Sequence, residues 1–265
     1  MNKQKIICDT LIWYNIANGN IKKEELKDLY LIGTAVNIAE IARSSHLNKD
    51  KINLLQEVID ALTNYHDIIY VSNPYDHIIS IFYPSFEPNN NYTNNMLNDF
   101  EKVLQIRDFD NIDWEEINKH RQYLNNKRQE YSDIVNEILM VSREHIKFNH
   151  LKKKHKNCNF KDTWKSFIIK IIANYSKREY NHEFIIKEDD IRWSRLDFFL
   201  SVWDEYFKCL DIETNRKFHN NDWEDLFNLV YVQPGFKYST RENKFLEIIK
   251  NNRDISNYLY EFNFY

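Results

Sequence analysis

Five acidic residues give this sequence its clearest chemistry. Asp9 ends the apolar run of IICDT, Glu40 lies within NIAEIA, Asp222 and Asp225 lie within NDWEDL, and Glu242 closes STRE. Carboxylates gathered in one place repel one another and lose hydration. A hard divalent cation relieves both costs, and Mg2+ or Mn2+ prefers oxygen ligands of this kind. Ions held that way commonly serve phosphodiester chemistry. The expected cofactor is therefore Mg2+ or Mn2+, with Asp9, Asp222, Asp225 and Glu242 as ligands and Glu40 beside them.

The stretch NDWEDLFNLVYVQPGFKYSTRE, residues 221 to 242, crowds three acids at the head of an apolar helix. On a wheel of about 100° per residue with Asp222 at zero, Leu226, Leu229 and Val230 fall near ~40°, ~−20° and ~80°. Asp225 falls at about −60°, so Asp222 and Asp225 share the apolar side while Glu224 points away. A solvated acidic face would put its acids opposite the stripe. Helix capping is the competing account. Asn221 with Glu224 makes a capping box, and acids in a first turn suit the helix dipole. Capping explains Glu224 best and Asp225 least. Asp222 is favoured over Asp225 as the ligand.

These side chains need elements to position them. QKIIC, residues 4 to 8, reads as a buried strand, and a helix over 11–18 follows, closed by Gly19. A short helix over 24–29, a strand over 30–35 and helices over 37–46 and 48–65 come next. Residues 68–71 read as strand, and Pro74 opens a helix over 75–82. EPNNNYTNNMLN, residues 87 to 98, lacks periodicity and reads as a loop or linker. Strand and helix alternate again from 222, with a strand over 236–240. Such alternation argues for a parallel sheet covered by helices. Ligands bind at the carboxyl ends of the strands in these sheets. Asp9, Asp222 and Glu242 are expected to meet at that rim.

Composition excludes several alternatives. The chain of 265 residues has three glycines, none clustered, so neither a phosphate-cradling loop nor a dinucleotide fingerprint is present. Its three cysteines are far apart and support no disulfide framework or cysteine-rich zinc site. A reducing cytoplasm fits that usage, and neither a secretory signal nor an apolar membrane span is apparent. With a net charge of −4, attraction to nucleic acid would have to come from local basic patches or bound cations.

In order and coarse spacing, IICDT, NIAEIA, NDWEDL and STRENKF resemble the motifs of PIN-domain ribonucleases. The resemblance covers roughly residues 4–72 and 215–262. It implies a three-layer α/β/α sandwich with a central parallel sheet, and an Mg2+ or Mn2+ site for RNA cleavage. Asp9, Glu40, Asp222 and Glu242 would be catalytic, with Asp225 supporting and Thr240 orienting an acid or a phosphate. Leu11 stands where family members often carry a small polar residue, and Glu242 where they usually carry Asp. A catalytically inactive PIN-like module that binds RNA or a protein is the alternative.

On this reading residues 1–85 and 210–265 form the α/β core and 99–209 a helical insertion. The patterns over 113–150, 160–180 and 189–209 are helical. WSRLDFFLSVWDEYF, residues 193 to 207, repeats large apolar residues at helical spacing and must pack on the core. Basic clusters lie at Lys152, Lys153 and Lys154 and at Arg192 and Arg195, and are expected to face the acidic rim and bind phosphates. A solvated helix face competes for both clusters. RNA is the expected partner and a membrane is not. A second copy or a protein partner stays open.

Overall fold

β-Branched and apolar runs form the strands, as pleated half-buried backbone favours. The computed structural model describes residues 3–44, 51–105, 113–115, scattered positions between 118 and 140, 161–181, 192–212 and 217–263. Strand β1 is Gln4–Cys8, followed by helices α1 (Thr10–Ala17) and α2 (Lys23–Leu26). Strand β2 (Leu29–Thr34) leads into α3 (Ala35–Ala42) and α4 (Ile52–Tyr65). Strand β3 (Ile68–Tyr70) leads into α5 (Pro74–Phe82). Then come α6 (Asn91–Gln105), α7 (Lys161–Tyr180), α8 (Asp197–Ile212) and α9 (Asn220–Asn228). Strand β4 (Lys237–Ser239) and α10 (Asn243–Asn251) complete the described order.

The strands form one sheet in the order β3-β2-β1-β4, and every pairing is parallel. Parallel neighbours need crossover connections, which the helices supply. Register fixes the rim. Cys8 sits beside Ser239, and the Asp9 amide donates to the Ser239 carbonyl at 2.9 Å. The residues after β1 and β4 therefore emerge side by side.

Alternation along the strands feeds an apolar cluster on each side of the sheet. Ile6, Cys8 and Leu31 join Trp13, Ile38 and Leu62. Ile7, Ile32 and Tyr238 join Trp203, Leu226 and Phe227. Helices α7 and α8 belong to the second cluster, where the Trp164 and Trp203 rings stack at 5.0 Å. The run 193–207 thus packs its apolar stripe against α9 and the sheet. Among the described residues, no helix is long and apolar enough to cross a membrane.

The Asn-rich stretch departs from its expected loop. Residues 91–98 are the start of α6, which buries Thr93, Met96 and Phe100. Those positions share one helix face, and their burial outweighs the poor helix propensity of asparagine.

Gly33 lies where α4 approaches β2 closely. A Cβ there would lie 2.9 Å from Leu62 Cδ1 and 3.3 Å from Ile69 Cγ1. Gly33→Ala is expected to cost about 1–3 kcal/mol, as overpacking of a dense core does. Chemical unfolding measures it, and a loss below about 0.5 kcal/mol would mean that α4 can shift off β2.

Candidate functional site

Asp9 stands at the junction of β1 and α1, and its side chain does not cap that helix. Its Oδ2 instead accepts the Thr240 hydroxyl at 2.6 Å. The same Thr240 oxygen accepts the Glu242 backbone N–H at 3.0 Å. One threonine after β4 thus sets both the Asp9 carboxylate and the backbone that carries Glu242. Thr240 was expected to orient an acid or a phosphate, and its hydroxyl donates to the acid Asp9, which makes it a positioning residue.

Glu40 lies on α3, whose start is fixed by a polar network. Thr34 caps the helix through Asn37, and its hydroxyl donates to Asn228 Oδ1 at the end of α9 at 2.7 Å. Asn37 Nδ2 donates to the Thr10 hydroxyl at 3.1 Å, and Thr10 in turn donates to Glu40 Oε2. This relay explains why a glutamate in mid-helix faces inward.

Helix α9 presents the other pair. It begins at Asn220, so Asp222 occupies its third position. Asp222 Oδ2 accepts the His219 backbone N–H at 2.7 Å and the Tyr206 hydroxyl at 2.7 Å. The expected capping box of Asn221 with Glu224 is therefore replaced by His219 with Asp222, because the helix starts earlier than read. Glu224 does not point away into solvent. Its side chain is 13% exposed and pairs with Arg43, which is 8% exposed.

Asp222 is held by Tyr206, the His219 amide and Lys244. Asp225 shares only Lys244 of these partners, and its carboxylate is close enough to Asp9 for their charges to interact.

These groups meet. A cavity of about 380 Å3 is lined by Asp9, Glu40, Asp222, Asp225, Glu242 and Lys244, with Leu11 and His219 at its walls. Leu11 is 40% exposed and Glu242 39% by side chain. Lys244 was not singled out from the sequence. Its ammonium bonds to Asp222, lies 3.0 Å from Asp225 Oδ2 and stands 3.5 Å from Glu242 Oε1. The available signal was a cation in the first turn of a helix, where the dipole disfavours it.

One ammonium does not neutralise five carboxylates. Burial, with Glu242 nearby, pushes Asp9 up to about 6. Burial and then the charge of Asp9 push Asp225 up to about 8. Glu40 is held well above its ordinary range by burial and by Asp225, Glu224 and Asp9. Lys244 is driven upward by Asp225 and Asp222 despite its burial, and stays charged.

Comparison of the chain with protein-family models, curated proteins and solved structures gives no match. The site must therefore be read from its own chemistry. Its donors are all carboxylate oxygens in excess negative charge, which suits Mg2+ or Mn2+ in kind. Among the described residues, no group of three or more His, Cys, Asp or Glu is already arranged to hold a metal ion. The carboxylates surround Lys244 instead.

Neither Arg192 nor Arg195 lines this cavity. Arg192 and Arg195 are exposed and flank the turn Trp193–Arg195 just ahead of α8. Tyr206, the residue of α8 that touches Asp222, comes eleven positions after Arg195, about 16 Å along a helix axis. Trp193 packs on Phe82, at the end of α5. Arg192 and Arg195 thus stand at the start of α8, a helix length from the contact with Asp222. Lys152, Lys153 and Lys154 lie outside the described residues.

A pH dependence follows. Asp9 and Asp225 bind protons more tightly folded than unfolded. The sign of linkage is then negative: stability present at low pH is lost as pH rises through the folded values. In metal-free buffer, melting temperature should fall as pH rises from about 4 to about 8. Asp225→Asn should flatten the upper part of that decline. A melting temperature that climbs across the window would mean that these acids are not crowded.

Proposed function

We propose that this protein is a PIN-like metal-dependent ribonuclease, its α/β layers corresponding to the three-layer sandwich of that family. The observation that carries the reading is the convergence of Asp9, Glu40, Asp222, Asp225 and Glu242 on one cavity at the carboxyl edge of a parallel sheet. They come from four separate places in the chain, in the order in which the resembling motifs occur. A structural use for one acid is common, but five around one cavity cost more than capping explains.

Asp9, Asp225 and Glu242 would hold Mg2+ or Mn2+, with Glu40 and Asp222 behind them. When bound, the ion supplies Lewis-acid activation of water and neutralises charge at the phosphate. The chain's own residues prepare that site. Thr240 aims Asp9, and the Thr10 hydroxyl aims Glu40. Tyr206 and the His219 amide fix Asp222. Glu40, held well above the ordinary carboxyl range by burial and by Asp225, would be the acid that takes up or gives a proton at its Oε atoms. Leu11 adds an apolar side chain to the cavity wall.

The cavity also has room on both sides. His219 and Asn221 are shared with a cleft of about 860 Å3, and Lys244 with one of about 700 Å3. A single strand could run across the rim from one to the other, as a backbone-cleaving site requires.

The reading is tested by incubating the full chain with single-stranded RNA in Mn2+ and in EDTA. Cleavage in Mn2+ alone is expected. RNA binding without cleavage in any divalent ion would favour the second reading, an inactive RNA-binding module. Lys244 supports that alternative, since its ammonium already occupies the carboxylate cluster.

A further inference from the structure

Lys244 is placed where helix physics does not favour it. It is the second residue of α10, and the positive end of the dipole there repels a cation. Its side chain is 16% exposed, so its ammonium has also given up most of its hydration. The compensation comes from Asp222, Asp225 and Glu242, which come from two different elements. The lysine therefore bridges α9 to the start of α10 across the cavity.

The same side chain lines a second cavity. That cleft, of about 700 Å3, also presents Glu205 and Glu247. Glu247 is three residues on along α10, close enough for an alternative ion pair on the same helix face. Rotation about the side-chain bonds of Lys244 thus has a carboxylate on either side.

We propose that Lys244 is the resident cation of the carboxylate site. Its ammonium holds Asp222, Asp225 and Glu242 together in the metal-free protein, and it withdraws into the adjoining cleft toward Glu247 when a divalent ion takes its place. The withdrawal rests on the metal-site reading above, whereas the holding role does not. Carboxyl protons held among these acids leave to solvent as the divalent ion binds, and no other bond is made or broken in this exchange. One cation replaces another among the same oxygens, and the excess of five carboxylates over one ammonium supplies the driving force.

The test uses the full chain, with Mn2+ alone as the probe. Lys244→Met keeps most of the aliphatic stem and removes the charge, whereas Lys244→Arg keeps the charge. In EDTA, K244M should melt about 5 °C below the wild type and K244R close to it. Mn2+ binding, followed by calorimetry, should tighten about 10-fold in K244M because no ammonium has to leave. K244M melting with the wild type in EDTA would overturn the holding role. Mn2+ binding no tighter in K244M would overturn the displacement. Mn2+ binding to neither protein would reject the divalent-ion reading and the displacement with it, while the EDTA melts still decide the holding role. Should K244M not fold, the double variant Asp225→Asn with Lys244→Met removes a carboxylate along with the ammonium. It should fold and melt near the wild type, and its failure to do so would overturn the proposal.

Discussion

Asp9→Asn should lower Mn2+-dependent RNA cleavage by about 1000-fold or more while leaving the metal-free protein no less stable. The two halves of this result come from the same geometry. The carboxylate is buried, supported by Thr240, and held near pH 6 by burial and by Glu242. Asparagine has nearly the same shape, and its carbonyl oxygen can still accept the Thr240 hydroxyl. The packing around β1 therefore survives. What disappears is a negative charge whose burial opposes folding, so the melting temperature in EDTA should hold or rise. An ion ligand is lost with it, and no neighbouring group can replace it from the end of β1. Steady-state cleavage and thermal melts of the same preparation check both halves. Activity within about 10-fold of wild type would remove Asp9 from the site. A drop in melting temperature matching the loss of activity would make it a structural residue instead.

The rim was legible in the sequence because its signals are local. An apolar run ending in Asp9 declares both a strand and the edge at which its last side chain emerges. Asp222 and Asp225 were legible through helical spacing, since acids on an apolar face need a reason, whereas Glu40 entered only through the NIAEIA motif of the resemblance. Thr240 and Glu242 followed from the strand before them. Lys244 was missed because its partners come from α9 as well as its own helix, and a lysine two places after a glutamate looks like ordinary surface charge. Arg43 was missed for the same reason. Only the packing of α3 against α9 brings it to Glu224. The capping assignment failed by a small shift in helix start, which moves every position in the first turn and exchanges the roles of Asp222 and Glu224. The helix over Asn91–Gln105 was hidden by composition. Its buried Thr93, Met96 and Phe100 carried a helical pattern within a run of asparagines whose own preference is for turns. The placement of Arg192 and Arg195 was the least legible feature, because charge density in a sequence carries no direction. Arg192 and Arg195 are dense in charge and lie at the far end of α8 from Tyr206.

Arg43→Met should be the most destabilising single change near the site, costing about 3–5 kcal/mol in chemical unfolding. Arg43 follows α3 directly, and its Nη2 pairs with Glu224 Oε1 on α9. Both side chains are largely buried, at 8% and 13% exposure, so neither charge can be rehydrated in place. Removing the guanidinium takes the Arg43 cation away from a largely buried Glu224. Glu224 already helps lift Glu40 above its ordinary range, and without its partner it should lift it further. The effect thus reaches the cavity as well as the packing of α3 on α9. Breaking a buried pair differs from replacing it. The double variant Arg43→Met with Glu224→Met removes both charges and keeps apolar volume, so it should recover most of the lost stability, within about 1 kcal/mol of wild type. Recovery of stability should come with Mn2+ binding, since Asp9, Asp225 and Glu242 are untouched in the double variant. Urea unfolding of the two single variants and the double closes the cycle. A loss below about 1 kcal/mol in Arg43→Met would show the pair to be solvated and without structural weight. A double variant as unstable as the single would show that the guanidinium acts through packing rather than through the charge of Glu224.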